Sequence, residues 1–207
     1  YGADYHQRGF RELLRKTEQY GVDFRNPLNQ TPLMLAAQFG IEPLAAELVR
    51  RGASLFAVDS WGRIPLQLAL RAAFQNPLYA KNTLGAIYPH LCPPALAVRI
   101  SARLVKIDSR RMEFFLLHAM LALFETILRT KIRTDMPGFE TGDFVRQLED
   151  FPENVIPSHR RSRQAITAAL AGHEVSRQGG GSRRLFLRLR RGFYVPNPCM
   201  DILQETA

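Results

Sequence analysis

The sequence predicts a mainly α-helical protein with a small β-sheet, and three observations carry that prediction. Thr31-Pro32-Leu33 returns 33 residues later as Ile64-Pro65-Leu66, each time opening a run of leucines and alanines with helical spacing. The stretch from Met112 to Leu128 is almost wholly apolar and long enough for about five helical turns. Leu185, Leu187 and Leu189 alternate with Phe186, Arg188 and Arg190, which is the period of a half-buried strand. With 207 residues and 46% hydrophobic side chains, the chain can bury a core as one large or two small domains.

Phe10 to Tyr20 reads as a first helix. Thr31 is placed to cap the next one, which Pro32 starts, and Gly40 marks its end. The small Ala36 and Ala37 let a neighbouring helix come close. Leu48-Val49-Arg50-Arg51-Gly52-Ala53 reads as the end of a second helix and its turn. The echo extends at the same offset to Asn26 with Asp59, Leu35 with Leu68, and Ala36 with Ala69. Pro65 to Phe74 and Tyr79 to His90 read as a further helix pair, joined through Asn76-Pro77. Motif and period together resemble ankyrin repeats over about residues 10–91. The resemblance implies antiparallel helix pairs stacked sideways, protruding turns, and a protein partner on that surface. Four positions depart from the family pattern. Met34 and Gln67 stand where it has histidine, Asn29 replaces a turn glycine, and Ile64 lacks the capping hydroxyl. About two and a half repeats are visible, so the stack is expected to lean on the rest of the chain or on upstream sequence, or to serve as a structural spacer. Trp61, at a turn tip, is the candidate partner contact; packing on the adjacent turn is the alternative.

Pro89-His90-Leu91-Cys92-Pro93-Pro94 is a rigid break and divides the chain into domains at 1–92 and 93–207. Leu96, Val98 and Ile100, then Leu104, Val105 and Ile107, suggest one or two short strands, expected to join the later hairpin in one sheet. A long helix is expected from Ser109 to Leu128, burying Phe114, Phe115, Leu117, Ala119, Leu121 and Phe124. The basic loop from Arg129 to Gly138 is a connection that could touch a polyanion. Thr141 is expected to cap a helix from Gly142 to about Asp150, with Phe144, Val145 and Leu148 inside.

From Ser158 to Tyr194 there are nine arginines, no lysine and one acid, Glu174. That net +8 nearly equals the +9 of the whole chain, so the positive field has one address, and a polyanion is the expected partner. Ser158 and Gly172 are start and stop signals for a helix over 159–171. Ser162, Ile166, Ala169 and Leu170 then fall inside, with Arg160, Arg163, Gln164 and Thr167 outside. The same pattern also reads as a solvated basic face. Arg190-Arg191-Gly192 is a tight turn, and Phe193-Tyr194-Val195 a return strand ended by Pro196 and Pro198. Helix, link and arginine-tipped hairpin resemble a winged-helix DNA-binding domain over about residues 95–198. The resemblance implies that Arg160, Arg163, Gln164 and Thr167, with Arg161 beside them, face a major groove, and that Arg188, Arg190 and Arg191 lie along the backbone or minor groove. Gln178-Gly179-Gly180-Gly181-Ser182 is more flexible than that family usually has between helix and sheet.

Cys92 and Cys199 give no disulfide framework, which suits a reducing cytosol, and no secretory signal or membrane span is read. The chain opens on Tyr1, which points to a piece of a longer protein. No phosphate-binding loop appears. His90-x-Cys92 is the only tight metal-like pair, and His118 reads as a satisfied core side chain. Glu149, Asp150 and Glu153 are clustered acids that helix-end solvation explains as well as acid–base chemistry. No enzyme, metal or cofactor is expected. The expectation is a cytoplasmic DNA-binding regulator or tethering module, with double-stranded DNA and a protein on the repeat stack as partners. The alternatives are a protein–protein adaptor whose basic face meets an acidic protein, and an RNA binder.

Overall fold

The computed structural model describes residues 2–131, 138–177 and 181–203. Its N-terminal half is helical: α1 (Gly2–Tyr20), α2 (Pro32–Phe39), α3 (Glu42–Arg50), α4 (Pro65–Gln75), α5 (Pro77–Tyr79) and α6 (Gly85–Leu91), with π-helical Ala80–Leu84 between the last two. The 33-residue echo is also an echo in hydrogen bonds. Asn26 Oδ1 accepts from the N–H groups of Leu28 and Gln30, and Asp59 Oδ1 accepts from those of Trp61 and Arg63, each at 2.9 Å. Asn29 takes φ +59° where its counterpart Gly62 takes +74°, because asparagine tolerates the left-handed region. Arg25 ties the two turns together by donating to the carbonyls of Asn29 and Val58.

The helix starts differ in chemistry. Thr31 Oγ1 accepts from Met34 N–H at 3.3 Å, and Met34 Sδ accepts from Thr31 N–H. Ile64 has no hydroxyl, so Gln67 Oε1 accepts from its N–H at 3.0 Å and supplies the reciprocal half of the cap alone. Gly40 closes α2 at φ +70°, and a Cβ there would sit 2.2 Å from Thr83 Cγ2. Glycine is required at that position twice over, by backbone and by space.

The C-terminal half opens on β1 (Ala95–Ile100) and β2 (Arg103–Asp108), an antiparallel hairpin. These strands do not join the later hairpin as the sequence suggests. The free edge of β1 is taken by β6 (Met200–Leu203), antiparallel from Ala97 opposite Leu203 to Ile100 opposite Met200. Leu96, Val98, Ile100, Val105 and Ile107 bury the inner face of this β2-β1-β6 sheet. Helix α7 (Met112–Lys131) starts three residues later than Ser109, since Asp108 Oδ1 accepts from Arg110 N–H at 2.8 Å and holds the chain in a turn.

The second sheet, β3-β5-β4, contains β3 (Phe139–Glu140), β4 (Phe186–Arg190) and β5 (Phe193–Pro196), all antiparallel. Between β3 and β4 lie α8 (Thr141–Gln147), a 3₁₀ turn Leu148–Asp150 and α9 (Arg163–Gly172). Thr141 is not the cap of α8. Its N–H and Oγ1 both donate to the Gly192 carbonyl, at 3.0 and 3.2 Å, and so fasten α8 to the hairpin turn. Of the basic loop at Arg129 to Gly138, residues 132–137 lie outside the described residues.

One hydrophobic core runs from Leu33 to Tyr194 and does not break at residue 92. Its middle is α4 packed on α7. Phe74 of α4 meets Phe151 at a centroid distance of 4.9 Å, and Phe115 of α7 meets the same ring at 6.0 Å. Such tilted and edge-on pairs add about 0.5–1.5 kcal/mol each beyond buried area. Two polar connections cross the same boundary. Gln67 Nε2 donates to Nδ1 of fully buried His118 at 3.2 Å. Arg63 pairs with Asp59 at 2.7 Å and with Glu125 of α7 at 3.0 Å, and Arg71 of α4 reaches Glu125 at 3.4 Å.

Candidate nucleic-acid interface

Helix α9 is placed by two buried anchors, Ile166 and Leu170, against α7 and α8. Its first N–H groups are capped by Ser162, whose Oγ accepts from Ala165 N–H at 3.2 Å. Ser158 does not cap the helix as expected: Ser158–Arg160 forms a separate 3₁₀ turn with no side-chain cap, and the helix begins only at Arg163. Arg163, Gln164 and Thr167 are exposed on the outer side of α9. Among the described residues none of the three is held by another side chain or carbonyl.

Arg160 and Arg161 therefore do not take the helix positions expected of them. Neither stands on the helix, so neither shares its outer face. Arg160 donates to the carbonyl of Arg110 at 2.7 Å. Arg161 turns inward, donating to the Ile156 carbonyl from Nε and Nη2 at 2.9 and 2.7 Å, and pairs with Glu153 at 3.2 Å. Ser162, expected inside, is exposed as the cap. The misreading has a simple source. Two serines four residues apart both fit a cap in the sequence, and only Ser162 accepts from a helix N–H.

The hairpin beside α9 presents Arg188, Arg190 and Arg191 as exposed side chains. Phe186 and Tyr194 are its buried anchors. Gly192 makes the turn at φ +79°, and the register slips between Arg188 opposite Tyr194 and Arg190 opposite Phe193. That bulge strengthens the local twist. The Arg190 guanidinium lies 3.8 Å from the centroid of Phe193. It stays accessible while the ring restricts its motion.

The hairpin is fixed more firmly than its glycine-rich approach suggests. Residues 178–180 lie outside the described residues, but both flanks are tied to each other. Leu185 N–H donates to the His173 carbonyl and Val175 N–H to the Phe186 carbonyl, each at 2.8 Å. Buried Asn197 donates from Nδ2 to the Arg184 carbonyl at 2.8 Å. Glu113, at the start of α7, is the element sequence reasoning missed. Its carboxylate pairs with the Arg183 guanidinium and with His173 Nε2, the latter at 3.2 Å. Burial alone would raise the Glu113 carboxyl, but the His173 hydrogen bond and the neighbouring His173 and Arg183 charges outweigh it and hold it below the usual carboxylate range. Only a spacing of 70 residues between partners hides this pair in the sequence. Glu113→Ala is expected to lower unfolding stability by about 2 kcal/mol, read by urea denaturation, because the Arg183 guanidinium and the His173 ring lose their shared acceptor. Glu113→Gln should recover part of it.

Other sequence candidates lie apart from this surface. Trp61 is 58% exposed at its turn tip, and Leu28, its counterpart one repeat earlier, is 70% exposed. His90 Nε2 meets Glu42 at 3.0 Å, while Cys92 donates to the Pro93 carbonyl, so the two are directed to different partners. No group of three or more metal-ligating side chains gathers among the described residues. Among them no helix is long and apolar enough to cross a membrane. Comparison with protein-family models, curated proteins and solved structures finds no match for this chain.

Proposed function

We propose that this chain binds duplex DNA through a winged-helix module, carried beside a short ankyrin-type stack that binds a protein. The observation that carries the reading is the pairing of α9 with the hairpin. The helix offers Arg163, Gln164 and Thr167 outward, and the adjacent β4 and its turn offer Arg188, Arg190 and Arg191 with no acid against them among the described residues. The element order supports it as well: helix α7, strand β3, helices α8 and α9, then the β4–β5 hairpin, with β3 against β5. Arginine and glutamine on one helix face can hydrogen-bond guanine and adenine edges, and arginines on a ribbon neutralise phosphates and release counterions. The exposed apolar tips at Leu28 and Trp61 support the second surface, since large side chains held out at stacked turns are suited to burial by a partner.

Duplex titration at several salt concentrations tests the reading. The joint change Arg188→Ala, Arg190→Ala and Arg191→Ala should flatten the logarithmic salt slope by about 3, at roughly 0.9 per phosphate lost. Arg163→Ala should weaken binding by about 1–3 kcal/mol and relax preference at one base pair. Binding of the variants with the parent's affinity and slope would rule the assignment out.

A further inference from the structure

We infer that the cleft between α6, the β2–α7 turn and the loop before α9 is a binding site for a small phosphate monoester with an aromatic or apolar body. The cleft is a cavity of about 400 Å³, which is the size of a small-molecule site. It exists only because the two halves of the chain pack together. Tyr88 and Cys92 come from the end of α6, Ser109 to Met112 from the turn, and Glu153 to Pro157 with Arg160 from the loop. Asn154 holds that loop in place by donating from Nδ2 to the Gly85 carbonyl at 2.7 Å.

The lining divides by chemistry. Met112, Phe115, Val155 and Pro157 offer apolar surface, beside the ring of Tyr88. Arg110, Arg111 and Arg160 all line the same cleft, and Arg110 is held by Asp108, which leaves Arg111 and Arg160 as the two cations for a ligand. Two acids stand near them, and both are occupied. Asp108 binds Arg110 from both oxygens at 3.0 Å. Glu153 accepts from Ser158 N–H at 3.0 and 3.1 Å and pairs with Arg161. Arg160 is aimed across the cleft by a single bond to the Arg110 carbonyl, which leaves most of its donors unused. Arg111 is exposed and no acid holds it among the described residues. The cleft therefore keeps an excess of positive charge above an apolar floor. A guanidinium pair matches a phosphate dianion in geometry and charge, and the floor takes an uncharged body.

This site does not depend on duplex binding, although Arg160 stands three residues before the first residue of α9. Phenyl phosphate is the test probe, with phenol and inorganic phosphate as its two halves, followed by calorimetric titration of the full chain. Saturable binding of phenyl phosphate, weaker binding of inorganic phosphate and none of phenol are expected. Arg111→Ala and Arg160→Ala should each weaken the probe by about tenfold or more, while Arg163→Ala leaves it unchanged. Arg111 is exposed, so its loss keeps the fold, which the circular dichroism spectrum would confirm. Equal binding by parent and both cleft variants overturns the proposal. So does displacement of the probe by duplex DNA combined with Arg111→Ala weakening the duplex as much as Arg163→Ala, because the cleft would then be part of the nucleic-acid surface.

Discussion

Arg63→Ala should lower unfolding stability by about 3–5 kcal/mol, the largest single loss expected from a side chain outside the apolar core. Arg63 is 7% exposed and its partner Asp59 5%. Removing the guanidinium leaves Asp59 without its 2.7 and 2.9 Å side-chain donors and takes the 3.0 Å arginine partner from Glu125. An unpaired buried carboxylate costs far more than the intact pair contributes, because it has neither water nor a counter-charge. Arg71→Ala should cost much less, since Glu125 keeps Arg63 at 3.0 Å. Chemical denaturation of both variants checks the ordering. Equal losses would mean that the network does not depend on its central residue. A cooperative single transition in the parent is also expected, since this network and one core join the two halves.

Stability should fall as pH drops below about 6.5, at up to roughly 1.4 kcal/mol per pH unit, because of His118. The imidazole is fully buried on α7, and burial pushes it from 6.5 down to about 3. Its Nδ1 accepts from Gln67, so the proton sits on Nε2, which has no partner among the described residues. The unfolded chain binds a proton at a pH where the folded chain cannot. This contribution is therefore complete above 6.5 and is lost progressively on acidification toward 3, reaching about 2 kcal/mol at pH 5. His118→Gln keeps an acceptor for Gln67 and cannot take the proton. Its stability between pH 7 and 5 should be flatter than the parent's by that amount, and parallel curves would remove His118 as the cause.

Much of the local structure was legible because it depends on near neighbours. The 33-residue echo marked two turns whose side chains make the same bonds at Asn26 and Asp59. Alternation marked β4 and β5, and the apolar run marked α7. Legibility failed where two local signals competed or where a partner was distant. Ser158 and Ser162 are both good caps, and the wrong choice moved Arg160 and Arg161 onto a helix face they do not share. His118 was read as satisfied, and one of its two nitrogens is not. Strand β6 is four residues near the end of the chain, too short for a period of two to show.

By itself the sequence determined the class of the protein, the position of most helices and the concentration of arginine in one stretch. Those properties follow from side-chain spacing and charge, which are carried by the chain whatever it packs against. Only the tertiary structure decided which arginines are held and which face outward. Arg161 and Arg183 are drawn to Glu153 and Glu113, while Arg163, Arg188 and Arg191 meet no acid among the described residues. A charge is neutralised by whatever lies within a few ångströms, and that neighbour is set by packing across the whole fold rather than by position along the chain.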